Sequence, residues 1–234
     1  MQKNTTIAQT TVNSTKSTKR ILIVGGGYVG FYAYKAIMKK AKHLVRSGAV
    51  SITVVDPLSS HSFHGFSGET VGGIISEDAR RSPFRKIFAD ARFIRGYATN
   101  INEIEKRVEV RTTDGESTTS LGYDHLILGV GVGDDLDSVP GIREHGLTLR
   151  GSGGPDGLRA TVLERLEQAT VTSNPDLREK LLSFVVAGGG FTGVEIAAAI
   201  AAGAPSVMGQ TNAMRLTDPA LLDVVGAVNA LPEW

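Results

Sequence analysis

The sequence has no cysteine in 234 residues, which removes disulfide frameworks, thiolate metal sites and any dithiol redox centre in one step. An excess of one charge sign is missing too: 25 Lys and Arg stand against 24 Asp and Glu, a formal +1, mixed along the chain. Without the one-sided basic footprint of a nucleic-acid binder, nucleic acid is excluded as a partner. Long hydrophobic runs are also absent. The longest candidate, residues 196–202, is alanine-rich and far short of the roughly 18 apolar residues that span a bilayer. With 41% hydrophobic residues the chain can still bury a real core, as one large domain or two small ones, and a soluble globular protein is expected.

What the chain does have is glycine, arranged twice in the same way. Residues 21–24, Ile-Leu-Ile-Val, form a short continuous apolar run, the mark of a parallel strand buried on both faces, and lead into Gly25-x-Gly27-x-x-Gly30. Residues 184–187, Phe-Val-Val-Ala, lead likewise into Gly188-x-Gly190-x-x-Gly193, 163 positions later. In each stretch the first glycine permits a tight turn, the second lets backbone approach a pyrophosphate, and the third lets the following helix pack on its strand. Free N–H groups at the helix start then meet the phosphates, with Thr192 adding a polar group in the second stretch.

Around the first stretch the pattern predicts a helix over 28–46 stopped by Ser47-Gly48, and a strand over 51–55 closed by Asp56-Pro57. Asp56 is the expected ribose reader, against the alternative of a turn-forming aspartate before proline. Residues 61–73 read as an irregular site-lining loop. Its glycines argue against a helix, and His61 and His64 lack a third ligand for a metal, so no metal site is assigned. Residues 80–89 read as a basic helix broken by Pro83 with a solvated face. The period then changes. Segments 92–97, 98–104, 107–112 and 117–121, punctuated by Asp114-Gly115, suggest an inserted antiparallel meander, and 124–128 returns as a buried strand.

Asp134, Asp135 and Asp137 form an acidic loop without the spacing of a calcium site, and 151–157 is a glycine-rich junction. Helices are expected over 155–170, with Leu158, Val162, Leu163 and Leu166 on one face, and over 175–182. After the second stretch, 214–218 reads as a short strand ending in Asp218, and 221–230 as a helix. Gly25 to Asp56 is 31 residues and Gly188 to Asp218 is 30, which makes Asp218 a candidate second ribose reader, with a loop aspartate as the alternative. The fold expected is α/β: a Rossmann-like parallel sheet with an inserted meander, plus an incomplete second Rossmann-like unit. The divisions are a disordered leader over 1–19, a first dinucleotide domain over 20–150 and a partial second one over 151–234. The leader is rich in Ser and Thr and free of acid, and organelle targeting stays open beside a cytoplasmic location.

Taken in this order, the residues resemble the type II NADH dehydrogenases of the two-dinucleotide-binding-domain flavoprotein superfamily. The resemblance runs from about Arg20 to Ala202 and is carried by Ile-Val-Gly-Gly-Gly-Tyr-Val-Gly30, Val-Val-Asp56, and the 61–73 loop with Phe63 and Glu69. Further carriers are Tyr123-Asp-His-Leu-Ile-Leu128, Val-Pro-Gly141 and above all Phe-Val-Val-Ala-Gly-Gly-Gly-Phe-Thr-Gly-Val-Glu195. It implies that Gly25, Gly27, Gly30 and Asp56 hold FAD and that Gly188, Gly190, Thr192 and Gly193 hold NAD(P)H. It also implies that Glu195 is the candidate catalytic residue beside nicotinamide and flavin, the alternative being a first-turn carboxylate that complements the helix dipole.

The implied reaction passes hydride from NADH to FAD and on to a quinone or another small acceptor, with peripheral membrane association and a homo-oligomer left open. An NADH-dependent reductase of a ferredoxin-type carrier and a catalytically incompetent dinucleotide-binding fragment are the competing readings. Three departures from the family pattern stand out. Gly129-Val-Gly-Val132 replaces Ala-Thr-Gly-Ser, the proline expected after Phe63 is absent, and the segments that follow the NADH domain in the family are missing from this sequence.

Overall fold

The computed structural model describes residues 17–137, 140–150 and 153–208, with side chains as far as 202. These form two compact units, the first from residues 17–61 and 83–131, the second from 62–82 and 132–208. The chain therefore enters the second unit at 62, returns at 83 and leaves again at 132, instead of dividing into contiguous halves.

The first unit is a six-stranded mixed sheet with helix α1. Strands β1 (Lys19–Val24), β2 (Val50–Asp56), β5 (Arg92–Asn102) and β8 (His125–Leu128) run parallel in the order β5-β2-β1-β8. β6 (Arg107–Thr112) and β7 (Thr118–Gly122) extend the β5 edge antiparallel. The sequence periods explain both faces of this sheet. Leu22, Val24 and Val55 pack with Val108, Val110 and Tyr123 on one side. Ile23, Ile52 and Val54 pack with Tyr34, Phe84 and Phe88 on the other. Such strands, buried on both faces, read as continuous apolar runs, and each side chain so buried stabilises the fold by about 1.5–3 kcal/mol relative to exposure.

Helix α1 (Tyr28–Arg46) has the expected bounds and ends through Ser47 and Gly48, the latter at φ +77. The meander differs from expectation in one respect. Segments 92–97 and 98–104 fuse into the single strand β5, which pairs parallel with β2 through Arg92–Arg95 and antiparallel with β6 beyond Gly96. A bulge between Ala98 and Asn100 shifts the register within this strand. Thr18 and Lys19, expected within the leader, are ordered in the first unit: Lys19 pairs with Val50 and the Thr18 hydroxyl donates to the Gly48 carbonyl.

Strands β3 (Ser60–Ser62) and β4 (Arg81–Pro83) form a two-stranded ribbon where the chain crosses between units. In the second unit the loop after β3 holds a single 3-10 turn, His64–Phe66, and a short helix α2 (Ser67–Val71), followed by α3 (Glu77–Arg80). In the first, α4 (Phe84–Ile87) follows β4. Helix α2 corrects the irregular-loop expectation. The Thr70 hydroxyl bonds the Phe66 carbonyl, and Gly68 and Gly72 sit where α2 meets another helix, a packing role the one-dimensional pattern could not distinguish from a loop.

The second unit continues with α5 (Ile142–His145), α6 (Gly154–Val171), α7 (Pro175–Leu182) and α8 (Phe191–Met208). Val71, Val162, Leu166, Ala169, Leu182, Ile196 and Ile200 make its core. Asn174 caps α7 through Oδ1, which accepts from Asp176 N–H at 3.0 Å and Leu177 N–H at 3.2 Å. The expected solvated face over 80–89 holds for Arg81, Arg85 and Lys86, which are exposed, but not for Arg80, whose side chain is 3% exposed, 3.4 Å from Asp156 and 3.8 Å from Glu77. Phe84 and Phe88 are buried in the first unit.

Candidate dinucleotide sites

The first fingerprint turns where β1 hands over to α1. The order β5-β2-β1-β8 makes the carboxyl ends of β1 and β8 a topological switch point, the place where open α/β sheets bind ligands. Gly25 sits at φ +98, and a Cβ on it would overlap the Gly129 carbonyl at the end of β8, so a side chain is doubly excluded there. A Cβ on Gly30 would overlap the Gly25 carbonyl, and a Cβ on Gly26 would come 2.7 Å from the Phe84 ring, which supports the turn from below. Gly27 alone of the three motif glycines faces open space, with nothing within 4 Å of a built Cβ. It is the N-cap of α1 and makes no side-chain cap bond, which leaves the first-turn N–H groups available to an anion.

Asp56 closes β2 next to this turn. One carboxylate oxygen accepts the Gly26 N–H at 2.7 Å and the other the Leu58 N–H at 2.8 Å. A carboxylate offers about four lone-pair sites, so two remain for ribose hydroxyls. The aspartate-before-proline alternative is thus present too: Asp56 makes the Asx turn and reaches the fingerprint with the same group. His61, which the sequence places only at the start of a site-lining loop, stacks edge-on against Tyr28 at 4.7 Å. Burial holds its imidazole below the ordinary value of 6.5, while the Asp56 charge pulls the other way. No sequence signal beyond proximity to the strand end could have placed it there.

The replaced Gly129 also finds its reason. A Cβ at that position would lie 2.8 Å from the Val29 Cβ and 3.3 Å from the Gly30 nitrogen, so this backbone accommodates Val29 in the fingerprint by carrying no side chain just after β8. Asp124 starts β8 by accepting the Arg20 N–H at 2.6 Å, and its own N–H donates to the Arg20 carbonyl at 2.8 Å. That backbone donor holds the Asp124 carboxyl below the usual carboxylate range.

The second fingerprint repeats the first within the other unit. Gly188 lies at φ +117, and a Cβ on Gly193 would overlap the Gly188 carbonyl as one on Gly30 would overlap that of Gly25. The first helical bonds correspond as well, Phe31 N–H to Gly27 O at 2.8 Å and Val194 N–H to Gly190 O at 3.1 Å. Gly190, like Gly27, faces open space, and Thr192 is exposed on the first turn of α8.

The strand expected over 184–187 is not formed among the described residues: the segment carries no ladder, and Val185 is 89% exposed. No described strand lies beside it, and a lone strand has no partner for its N–H and C=O groups. Asp218, the 214–218 strand and the 221–230 helix lie outside the described residues.

Glu195 is exposed on α8, and the first turn of that helix contains no acidic residue. The dipole-complementing alternative therefore loses its geometric basis, since that effect falls off within the first turn. The segment 62–82 meets Glu195 directly: a Cβ on Gly68 would lie 3.6 Å from the Glu195 Cβ. No described helix is long and apolar enough to cross a membrane.

Comparison with known proteins agrees with these geometries. The type II NADH:quinone oxidoreductase Ndh of Mycobacterium tuberculosis is 30% identical over 183 residues, covering 78% of this chain and 38% of its own. The external alternative NADH-ubiquinone oxidoreductase of Yarrowia lipolytica mitochondria is 27% identical over 191 residues, covering 78% of this chain and 31% of its own. The chain thus spans about a third of the length of such relatives. The NDH2 of Plasmodium falciparum, solved in complex with NADH, superimposes with a TM-score of 0.71 at 20% identity, over 89% of this chain and 40% of that one, and so shares its fold. The family described as pyridine nucleotide-disulphide oxidoreductase matches residues 40–222. By that match and the fold it accompanies, the chain belongs to the pyridine nucleotide-disulphide oxidoreductase family.

Proposed function

We propose that this chain is the dinucleotide-handling part of a flavin-dependent NAD(P)H oxidoreductase of the type II NADH dehydrogenase kind, with FAD at the first fingerprint, NAD(P)H at the second and a quinone as acceptor. The observation that supports this most directly is the repetition of one glycine-turn geometry, with its carbonyl-to-Cα close approach and its open middle glycine, in both units. A single such turn is common to many nucleotide binders; two in one chain suit a protein that brings two dinucleotides together. When bound, the flavin and nicotinamide supply the hydride chemistry themselves.

The protein's contribution is binding and orientation. The open faces at Gly27 and Gly190 admit a pyrophosphate to the backbone, and the uncapped N–H groups of α1 meet its charge. The free lone pairs of Asp56 take ribose hydroxyls, and Asp218 is the corresponding candidate for the second nucleotide. Glu195 is exposed, without a hydrogen-bond or ion-pair partner among the described residues, and in this reading its carboxylate orients the nicotinamide. Without cysteine, these residues cannot run the thiol-disulphide step after which the family is named, which favours a non-thiol acceptor.

The test is to purify the chain, measure the oxidised-flavin band, and add NADH without oxygen. Bleaching of the band supports the proposal, and Glu195→Gln should then slow bleaching or change NADH affinity. A colourless protein that neither takes up FAD nor oxidises NADH would overturn the proposal and leave the competing reading of a binding module that does not turn over.

A further inference from the structure

We propose that Arg159 is a positioning residue for Glu195, acting through the short helix α2; the proposal rests on the reading of Glu195 given above. A helix end leaves carbonyls to be satisfied, and α2 has nearly all of its own accounted for locally. Gly68 O accepts from Gly72 N–H at 2.8 Å, Glu69 O from Ile74 N–H at 2.8 Å, and Thr70 O from Gly73 N–H at 3.0 Å, a Schellman motif with Gly73 in the left-handed position at φ +76. The carbonyl left over is that of Val71. It accepts from Arg159 Nη1 at 3.1 Å, across 88 residues of sequence. The guanidinium lies against the open side of Gly73, where any Cβ would overlap it.

The other side of α2 rests on α8. A Cβ on Gly68 would lie 3.6 Å from the Glu195 Cβ and 3.8 Å from its carbonyl, and one on Gly72 would lie 3.7 Å from both the Cβ and the carbonyl of Ala199. Two glycines four apart thus face two α8 residues four apart, an arrangement that lets helices approach closely. Val71 and Thr70 are buried, and Val71 shares a core with Ile196 and Ile200 of α8 and Val162 of α6.

Since the Glu195 carboxylate has no polar partner among the described residues, its place is set by the α8 backbone and by what packs there. Arg159 holds the end of the element that packs there. The sequence offered no sign of this: Arg159 reads as one more charge on α6, and Gly68 and Gly72 as loop glycines.

The experiment combines two readouts on the full chain loaded with FAD: hydrogen exchange of the amides at 195–199, and NADH affinity by titration. Removing a hydrogen bond to a buried carbonyl should make Arg159→Met raise exchange at 195–199 about tenfold while the β1 and β2 amides stay protected. Arg159→Lys, which keeps a donor, should recover most of that protection. Gly68→Ala, whose methyl makes ordinary contact, should behave as the parent, and Gly68→Leu should loosen 195–199 from the opposite side without touching Arg159.

Arg159→Met should also weaken NADH binding about fivefold in the parent and have no further effect in the Glu195→Gln background, as coupled residues do. Unchanged exchange at 195–199 overturns the proposal, and so does an equal loss of NADH affinity in both backgrounds. If Glu195→Gln alone leaves NADH binding and flavin reduction unaltered, the reading of Glu195 falls first and takes the positioning role with it.

Discussion

The two motif glycines Gly27 and Gly30 are three residues apart and ought to separate cofactor binding from stability. For Gly30→Ala the new methyl overlaps the Gly25 carbonyl, and main chain cannot move aside as a flexible side chain would. Overpacking of this kind costs about 1–3 kcal/mol, offset by up to about 1 kcal/mol because alanine is the better residue inside a helix such as α1. A net loss of about 1–2 kcal/mol follows, with or without FAD.

For Gly27→Ala nothing lies within 4 Å of the new methyl. Alanine is a poorer N-cap than glycine by a few tenths to about 1 kcal/mol, and the less flexible unfolded chain returns about 0.4–1 kcal/mol. The two nearly cancel, so stability of the free protein should be unchanged within about 0.5 kcal/mol. The methyl nevertheless occupies the space through which a pyrophosphate would reach the backbone. Urea midpoints measured without FAD, and flavin fluorescence quenching measured with it, decide the matter. Gly30→Ala should lower the midpoint, whereas Gly27→Ala should keep the midpoint and lose flavin. Gly27→Ala that binds FAD as the parent does would refute the assignment of this turn as a phosphate cradle, and a Gly30→Ala protein of parental stability would refute the contact geometry.

Three further outcomes are expected. Arg80 is 3% exposed at its side chain with Nε lacking a partner, while Glu77 and Asp156 keep 24% and 34% of theirs in water. Arg80→Met should therefore change stability by no more than about 1 kcal/mol, whereas Arg80→Ala, which also removes the packing, should cost about 2–3 kcal/mol in thermal or urea unfolding. Asp124 has its folded pKa below the ordinary 3.8 because of the Arg20 N–H, so its stabilising effect is present above about pH 4 and is lost as pH falls through the folded value. The stability gap between the parent and Asp124→Asn should close over that acid range, and a gap constant down to pH 2 would contradict the geometry. Leu166 is fully buried in the second unit, and Leu166→Ala should cost about 2–5 kcal/mol, read as earlier melting in a thermal scan.

The first unit was largely legible because its signals are local. Continuous apolar runs marked β1, β2 and β8, and glycine spacing marked the turn between β1 and α1, where the chain's own stop signals also fixed the far end of the helix. What sequence could not supply were contacts between distant residues. Arg80 reads as a surface charge until Asp156 is brought beside it, and Gly68 and Gly72 read as loop glycines until α8 lies against them. Likewise 184–187 has the composition of a strand, but a strand is defined by its neighbour, and residue pattern alone does not say whether one is present. Gly129 was visible only as a departure from a family pattern; its contact with Val29 explains why glycine suits this chain.

Residues 62–82 leave the first unit and return to it, and Val71, at the middle of that excursion, is buried in a core whose other members come from residues 162 to 200. The two units are therefore interlaced along the chain and are not cassettes joined end to end. A fragment stopped near residue 150 would carry Val71 without Val162, Leu166, Ala169, Leu182, Ile196 and Ile200, and would lack the Arg159 guanidinium that satisfies the Val71 carbonyl. During synthesis the same segment must wait until α6 and α8 have been made before it can fold. Any attempt to graft or exchange the first dinucleotide turn in isolation has to include a replacement for residues 62–82.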